Sequence, residues 1–524
     1  MSDIRPDENA SAADGLAGRK RPTLTQRAAL SFAVKLARML LRSVATFLTT
    51  PVILAGLGPQ VFGVWSMIQK LSGYISLADF RASGAVKLLL SVRQHEQDDE
   101  ANRRIVGASL VVWLCFLPLM ALLGLLLLAN VRHLLPLEDL PAVTARWAFA
   151  IFLAGIVFSR VTALPGNILQ AVNLGYHAVA AEVLVPIVTA IGLVAVVKAG
   201  WGLIGVAAVT VAGLVLDGVL RHIVARREIP WYGAARPRRA DMRGFVGITG
   251  WMQLTNLANL LLWGVDILLV GRIMGGEAAT ILVQTGFLHR TMTESVSFFF
   301  SSGRPGLVGL IGEGRWDKAR LLRREINLLA LAMALIAGAV ILAIDADFVA
   351  RWVGREYFAG SGTNIFLVVG SVLTVIVRNE AMLLDGLLAV RVKALTMLGV
   401  GFLTVVAGAL LIRTYGIAGM AGAWAAGQVL LLTIFRAVVT RGIGDGGIRV
   451  VSMVVKGAVI VALCVGAGML GRPSADASWA SVITKAILAA VFAGLVCWVV
   501  VLDRGTRDLL RLRIRSLALM RGDG

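Results

Sequence analysis

Stretches of about 20 mostly apolar residues alternate with short polar segments along almost the whole chain. They begin near residues 29, 61, 105, 145, 179, 201, 245, 279, 326, 362, 394, 416, 452 and 479. A helix needs about 20 such residues to cross the roughly 30 Å hydrocarbon core of a bilayer. The pattern therefore predicts an all-α polytopic membrane protein with about 14 transmembrane helices. The segments between the runs are too short for a folded domain outside the membrane.

The distribution of lysine and arginine predicts how these spans are oriented. If the N-terminus is cytoplasmic, roughly two-thirds of the 51 basic residues fall in segments that face the cytoplasm, where short loops collect them. We therefore expect both termini to be cytoplasmic. The chain then divides into a cytoplasmic tail (1–28), a six-helix bundle (29–221), a basic linker (222–244), a second six-helix bundle (245–440), helices 13 and 14 (441–502) and a basic cytoplasmic tail (503–524).

Composition supports the membrane interpretation and excludes other classes. Apolar residues make up 58% of the chain and charged residues only 16%, whereas soluble domains average about 25% charged residues. The net charge of +20 therefore indicates membrane topology, and we expect no nucleic-acid partner. The five histidines and three cysteines show no metal-ligand spacing, and no GxxxxGK[ST] phosphate loop occurs. We expect no metal and no cofactor, and any energy coupling would use H⁺ or Na⁺.

The two predicted six-helix bundles share a sequence layout. LAGLGPQVFGVWS at 54–66 aligns with GRIMGGEAATILV at 271–283 at an offset of 217 residues, which places Gly58 on Gly275. The same offset aligns the basic linkers 92–105 and 309–322. Such internal repeats are typical of transporters that expose one central site to each side of the membrane in turn.

Three cations interrupt the first apolar run at spacings of three and four residues, namely Lys35, Arg38 and Arg42. This spacing places them on one face of a helix. A cation at bilayer depth costs at least about 2.5–3.5 kcal/mol, so it should face protein or a wet cavity. We predict that these three residues and Arg160 line one central cavity and bind an anionic substrate. The alternative is a helix that begins later, with Lys35 and Arg38 extending to the headgroups.

Lys70, Arg290 and Arg378 are further cations at membrane depth. Arg290 and Arg378 have acidic neighbours in the sequence, Glu294 and Glu380, and we predict that each forms a structural ion pair with its neighbour.

Acidic residues inside apolar runs are candidates for ion coupling. Asp266 and Glu182 have this position and are our candidates, with Asp266 the first choice. The alternative for Asp266 is a structural pair with Arg272. Asp345 and Asp347 lie at a predicted outer helix end, and we interpret them as solvated charges.

The run FLTTPVILAGLGPQVFGVWSMIQKLSGYISLADF resembles the N-terminal signature of polysaccharide flippases of the Wzx type. The matching positions are Pro51, Leu57, Gly58, Gly63, Leu77 and Asp79. VDILLVGRIMG at 265–275 and REYFAG at 355–360 are similar to stretches in the second half of that family, and the resemblance covers most of residues 25–445. The family usually continues with Leu-Gly after the aspartate, whereas Phe80 and Arg81 follow here, so Asp79 and Arg81 are candidate gate residues.

The resemblance implies the fold of MATE-type multidrug exporters and the lipid II flippase. This fold has two six-helix bundles in a pseudo-symmetric repeat around a central cavity, with two extra C-terminal helices here. The implied function is a secondary transporter that flips an undecaprenyl-pyrophosphate-linked oligosaccharide across the bacterial inner membrane for surface polysaccharide biosynthesis. Expected partners are the lipid-linked oligosaccharide, membrane lipids, and polysaccharide polymerase and chain-length proteins.

Two other functions compete with this interpretation. A MATE-like cation-coupled exporter would need an acidic or apolar cavity, and the cationic first span argues against one. A membrane glycan polymerase or ligase would need catalytic groups in a sizeable outer loop, and the outer loops are short.

Overall fold

The computed structural model describes residues 24–75, 82–93, 98–138, 140–301, 304–387, 389–444, 478–501 and 507. These ranges are almost entirely helical and contain no β-strand. The helices of the first half are α1 (Leu24–Leu57), α2 (Pro59–Ile75), α3 (Ala82–Val92), α4 (Asp99–Ala129), α5 (Val131–Leu134), α6 (Ala142–Thr162), α7 (Leu164–Ala171), α8 (Val179–Lys198) and α9 (Gly202–Glu228). Those of the second half are α10 (Arg239–Trp263), α11 (Val265–Met274), α12 (Gly276–Ser301), α13 (Arg304–Gly312), α14 (Trp316–Trp352), α15 (Ser361–Gly386), α16 (Val390–Ile443) and α17 (Trp479–Val496).

The predicted membrane spans fall on these helices wherever the structure describes the chain. Nine helical segments in the described ranges are long and apolar enough to cross a membrane, or ten if α10 and α11, bent by 42° at their break, are counted as one span. Helix α16 holds two predicted spans, which are divided at Gly416 by a non-helical backbone. The predicted span near residue 452 lies outside the described residues, so the total of 14 stays a prediction.

Helix boundaries repeat at the predicted offset of 217 residues. Helix α1 ends at Leu57 and α11 at Met274, and each is followed by a glycine with positive φ, Gly58 at 78° and Gly275 at 94°. Glycine adopts this backbone conformation without steric cost. The next helices begin at 59 and 276, and those after the basic linkers begin at 99 and 316. The two halves are therefore pseudo-symmetric.

Each half forms one bundle of packed helices. In the first bundle α1 packs on α8, and α9 packs on both α6 and α8. In the second, α15 packs on α12, α14 and α16, while α10 packs on α16 and α17 covers α14. The bundles meet where α2 packs against α11 and α12. We call the face at which α1 begins the proximal face and the face at which α1 ends the distal face.

The two bundles are in close contact at the distal face. The Thr280 hydroxyl donates a 2.6 Å hydrogen bond to the carbonyl oxygen of Pro59, and a Cβ atom at Gly63 would overlap the carbonyl oxygen of Gly276. The repeat relates these two contacts, because position 63 corresponds to 280 and position 59 to 276. The pseudo-twofold axis thus passes between the first turns of α2 and α12, and the distal face is closed there.

Helix α1 contacts the second bundle at two places along its length. The rings of Phe32 and Phe298 stack with centroids 5.0 Å apart, and the Trp352 indole donates a 2.7 Å hydrogen bond to the carbonyl oxygen of Phe47. The three cations of α1 lie between these two contacts along the helix.

Gly63→Leu should open the distal face, because the new side chain cannot fit against the backbone of Gly276. Spin labels at Lys198 and Arg413, which are exposed on the two bundles, would report the separation by double electron–electron resonance. We expect a longer mean distance in Gly63→Leu than in the parent. The matched control is Gly399→Leu, whose site has open space. Equal distances in all three proteins would contradict a closure that depends on Gly63.

Candidate functional site

Two adjoining cavities lie between α2 of the first bundle and five helices of the second, α10, α11, α12, α15 and α16. Their volumes are about 230 Å³ and about 530 Å³. Both are lined by Lys70, Leu262, Trp263 and Arg378, so these residues form a shared wall. The larger cavity extends to Asp385 and Lys393, at the proximal ends of α15 and α16.

Three cations from three helices face the smaller cavity. The Lys70 amine donates a hydrogen bond of 3.2 Å to the carbonyl oxygen of Trp263. The guanidinium of Arg378 lies over the Trp263 ring, 5.0 Å from its centroid. Arg290 lies 3.9 Å from the carboxylate of Asp266. Each cation is held by a polar or aromatic neighbour and still borders the cavity, so all three can contribute donors to a bound anion.

Polar side chains of α10 and two tryptophan rings also line these cavities. Thr255, Asn256 and Asn259 of α10 border the larger cavity, and Trp263 and Trp424 border the smaller one with their rings 5.8 Å apart. The two tryptophans were not among the site residues predicted from the sequence. A signal was available, since tryptophan normally concentrates at the membrane interface and these two lie within spans.

The predicted ion pairs Arg290–Glu294 and Arg378–Glu380 were wrong. Arg290 is paired with Asp266, although Glu294 borders the same cavity. Glu380 accepts two hydrogen bonds from Arg323 of α14, at 3.2 and 2.8 Å. Arg378 borders the cavity instead, with its guanidinium over the Trp263 ring.

The four predicted cavity cations occupy different surroundings. Arg38 forms a 2.9 Å ion pair with Glu182. Lys35 is exposed on α1 and lies within electrostatic range of Lys87 on α3. Arg42 is exposed on α1, and Arg160 is half-buried on α6. None of the four borders either of the two cavities, so their role in substrate binding stays a prediction.

Glu182 is the centre of an ion network that joins three helices. It pairs with Arg38 of α1 and accepts a 2.9 Å hydrogen bond from Arg221 of α9, which also donates two to Asp217. Asp266 has Arg290 as its partner instead of Arg272. Both carboxylates thus form ion pairs, as a structural role would require. The coupling role of Glu182 and Asp266 stays a prediction. Asp79 and Arg81 lie outside the described residues.

The interpretation of Asp345 and Asp347 as solvated charges was wrong. Asp345 is fully buried and Asp347 is 5% exposed. Asp347 accepts a 2.6 Å hydrogen bond from Lys485 of α17, because α17 packs along α14 and covers this end of the helix.

Two pseudo-symmetric helical bundles around a central polar cavity define the fold of an alternating-access membrane transporter. The family model described as "polysaccharide biosynthesis protein" matches residues 28–299, which is more than half of the chain. The chain belongs to this polysaccharide biosynthesis protein family. The family resemblance predicted from the sequence is therefore confirmed.

Solved structures share most of this fold at low sequence identity. The lipid II flippase MurJ in an inward closed conformation superposes with a TM-score of 0.65 and 12% identity over 92% of this chain and 100% of that one. An inward-facing multidrug resistance MATE family transporter of the MOP superfamily gives 0.62 and 15% over 79% and 98%. A MOP superfamily transporter from Pyrococcus furiosus, described as having a binding pocket of reverse polarity, gives 0.51 and 16% over 84% and 95%. Among curated proteins, no sequence matches this chain significantly.

Proposed function

We propose that this protein flips an undecaprenyl-pyrophosphate-linked oligosaccharide from the cytoplasmic to the outer leaflet of the bacterial inner membrane, for surface polysaccharide biosynthesis. The observation that carries the proposal is the cavity wall that contains Lys70 and Arg378, in a chain of the polysaccharide biosynthesis family. Arg290, which lies beside Asp266, borders the same cavity. Supporting observations are the MurJ-like and MATE-like fold and the polar side chains of α10 that border the larger cavity.

A pyrophosphate that leaves water needs several charged or polar donors to replace its hydration. Lys70 and Arg378 offer them at the junction of the two cavities. The amides of Asn256 and Asn259 would bond sugar hydroxyls in the larger cavity. The ring of Trp424 offers an apolar surface for the face of a sugar. The cavity thus has separate parts for a diphosphate and for sugars.

The transport cycle we propose follows from the closed distal face and the extent of the larger cavity. The headgroup would enter from the proximal face, which we assign to the cytoplasm, while the α2–α12 contact keeps the distal side shut. Separation of that contact and approach of the bundles at the proximal face would then expose the headgroup to the other side. In this scheme Lys35, Arg38 and Arg42 of α1 would guide the headgroup inward, and Asp79 and Arg81 would belong to the proximal gate.

A cation exporter fits the cavity less well. The two cavities are bordered by four cations, Lys70, Arg290, Arg378 and Lys393, and by three carboxylates, Asp266, Glu294 and Asp385. Of the carboxylates, Asp385 accepts two hydrogen bonds from Lys393 and Asp266 has Arg290 beside it. A site of net positive charge repels the cationic drugs that such an exporter would carry.

The proposal is tested by deleting the gene in its host and following the lipid-linked glycan. We expect the glycan to accumulate in the inner membrane in a form that is inaccessible from outside, and the surface polysaccharide to disappear. Expression of the intact chain should restore both. Normal surface polysaccharide in the deletion strain, with altered export of cationic compounds, would replace this function by the exporter.

A further inference from the structure

A histidine and an aspartate meet inside the second bundle, beside the smaller cavity. His289 of α12 is 2% exposed and Asp345 of α14 is fully buried. The Nε2 atom of His289 and the Oδ2 atom of Asp345 are 3.9 Å apart. Among the described residues, neither carboxyl oxygen of Asp345 has a hydrogen-bond partner. Asn364 of α15 lies against the ring, and its side-chain oxygen is also unpartnered.

The charge of this pair determines what it costs to keep it buried. With one dissociable proton on the pair the site is neutral, whether the proton is on the carboxyl or makes the imidazole cationic. Without that proton a bare carboxylate would stand in a low-dielectric environment, which costs several kcal/mol. A sealed site of this composition therefore favours the protonated state.

The pair lies between the distal surface and the substrate cavity. Thr285, one helical turn before His289, accepts a hydrogen bond from the backbone N–H of Ala359 in the distal loop and donates one to the carbonyl oxygen of Tyr357. His289 itself borders the smaller cavity. A proton that arrives from the distal side would thus be held directly behind the wall of the cavity.

The charged groups around the pair are few in the part of the chain that the structure describes. On α12 the neighbour is Arg290, which acts on His289 and pairs with Asp266 of α11. Two residues along α14 from Asp345, Asp347 pairs with Lys485 of α17, and from α15 the neutral Asn364 faces the ring. Both neighbouring ionic groups have partners of their own, so neither is free to neutralise Asp345.

We propose that His289 and Asp345 form a proton-binding site whose protonation stabilises the conformation with a closed distal face. Release of the proton leaves a buried negative charge and favours opening, so a proton gradient can drive the cycle. The role in transport rests on the proposed function, but the site itself can be tested without any substrate. A negative result here therefore leaves the flippase proposal standing.

The first test is infrared difference spectroscopy of the purified protein in lipid as the pH is changed. We expect a carbonyl-stretch band of a protonated carboxylic acid that disappears on titration and is missing in Asp345→Asn. His289→Gln keeps the carboxyl group, so the band should remain with its titration midpoint moved by at least one pH unit. Asp317→Asn, on the same helix but exposed beside Arg320, is the matched control and should keep the parent titration. The proposal would be overturned if the band persisted in Asp345→Asn, or if its titration midpoint did not move in His289→Gln.

The second test follows the distal face with spin labels at Lys198 and Arg413. In the parent the distance distribution should shift to longer values as the pH rises. In Asp345→Asn, which imitates the protonated carboxyl, it should stay short at every pH. Distances that respond to Na⁺ concentration and are independent of pH would identify a sodium site and contradict a proton site.

Discussion

Replacing Glu380 by alanine should lower the free energy of unfolding by about 3–5 kcal/mol, the largest stability effect we expect in this protein. Glu380 and Arg323 are 1% and 0% exposed and form a bidentate pair between α14 and α15. Asn327 donates a further 2.7 Å hydrogen bond to the same carboxylate. Removal of the carboxylate leaves an uncompensated guanidinium in the core of the second bundle. Reversible unfolding of the purified protein in mild detergent measures the difference.

Two controls separate the buried charge from the loss of one side chain. Glu313→Ala removes the same residue type from an exposed pair with Arg315 and should cost less than about 1 kcal/mol. The double variant Arg323→Met/Glu380→Leu removes both charges and should be clearly more stable than Glu380→Ala. A loss below about 1 kcal/mol for Glu380→Ala would show that this pair does not hold α14 to α15.

The double variant Lys70→Gln/Arg378→Gln should lose at least about 100-fold in affinity for a polyprenyl pyrophosphate. A hydrogen bond to a charged group contributes about 1.5–3 kcal/mol, so two of them correspond to a factor of 100 or more. Direct binding to the purified protein in nanodiscs measures this effect. Of the four residues that border both cavities, Lys70 and Arg378 are the two cations, so we expect this double variant to weaken binding of the anion strongly.

The matched control for Lys70→Gln/Arg378→Gln removes one lysine and one arginine outside the two cavities. Lys198→Gln/Arg413→Gln neutralises two exposed cations that border neither cavity and should bind like the parent. Equal affinity in both double variants would move the headgroup site away from the shared cavity wall. The cations of α1 would then be the next residues to test.

Much of the architecture could be predicted from the sequence, because membrane spans and their repeat are local patterns. The apolar runs locate the helices, and the alignment of Gly58 with Gly275 predicts two equivalent turns with positive φ. The family resemblance rested on the same short motifs. Each of these features depends on residues that are close together in the chain.

The partners of the charged residues could not be predicted, because each partner comes from another helix. Glu380 has Arg378 two residues away, yet it pairs with Arg323, which lies 57 residues away. Glu182 shows no partner in its own span and receives two, Arg38 and Arg221, from helices that pack beside it. The cations that line the cavity were not identified for the same reason, since Lys70, Arg290 and Arg378 come from three different helices, α2, α12 and α15.

The burial of Asp345 could not be predicted from the sequence either. Position near a helix end predicted exposure, but packing of α14 against its neighbours leaves the carboxyl with no access to solvent. Burial of this kind depends on tertiary contacts that no local pattern records. The unexpected His289–Asp345 pair is a direct result.

Flipping by the reconstituted protein is the decisive experiment for the proposed function. Proteoliposomes containing the purified chain would be loaded with a polyprenyl-pyrophosphate oligosaccharide, and movement of the headgroup between leaflets would be followed by its accessibility to an added glycosidase. We predict rapid flipping by the parent and by Lys198→Gln/Arg413→Gln, and at least about 100-fold slower flipping by Lys70→Gln/Arg378→Gln. Equal flipping rates in protein-free liposomes and in liposomes with the parent would contradict the account.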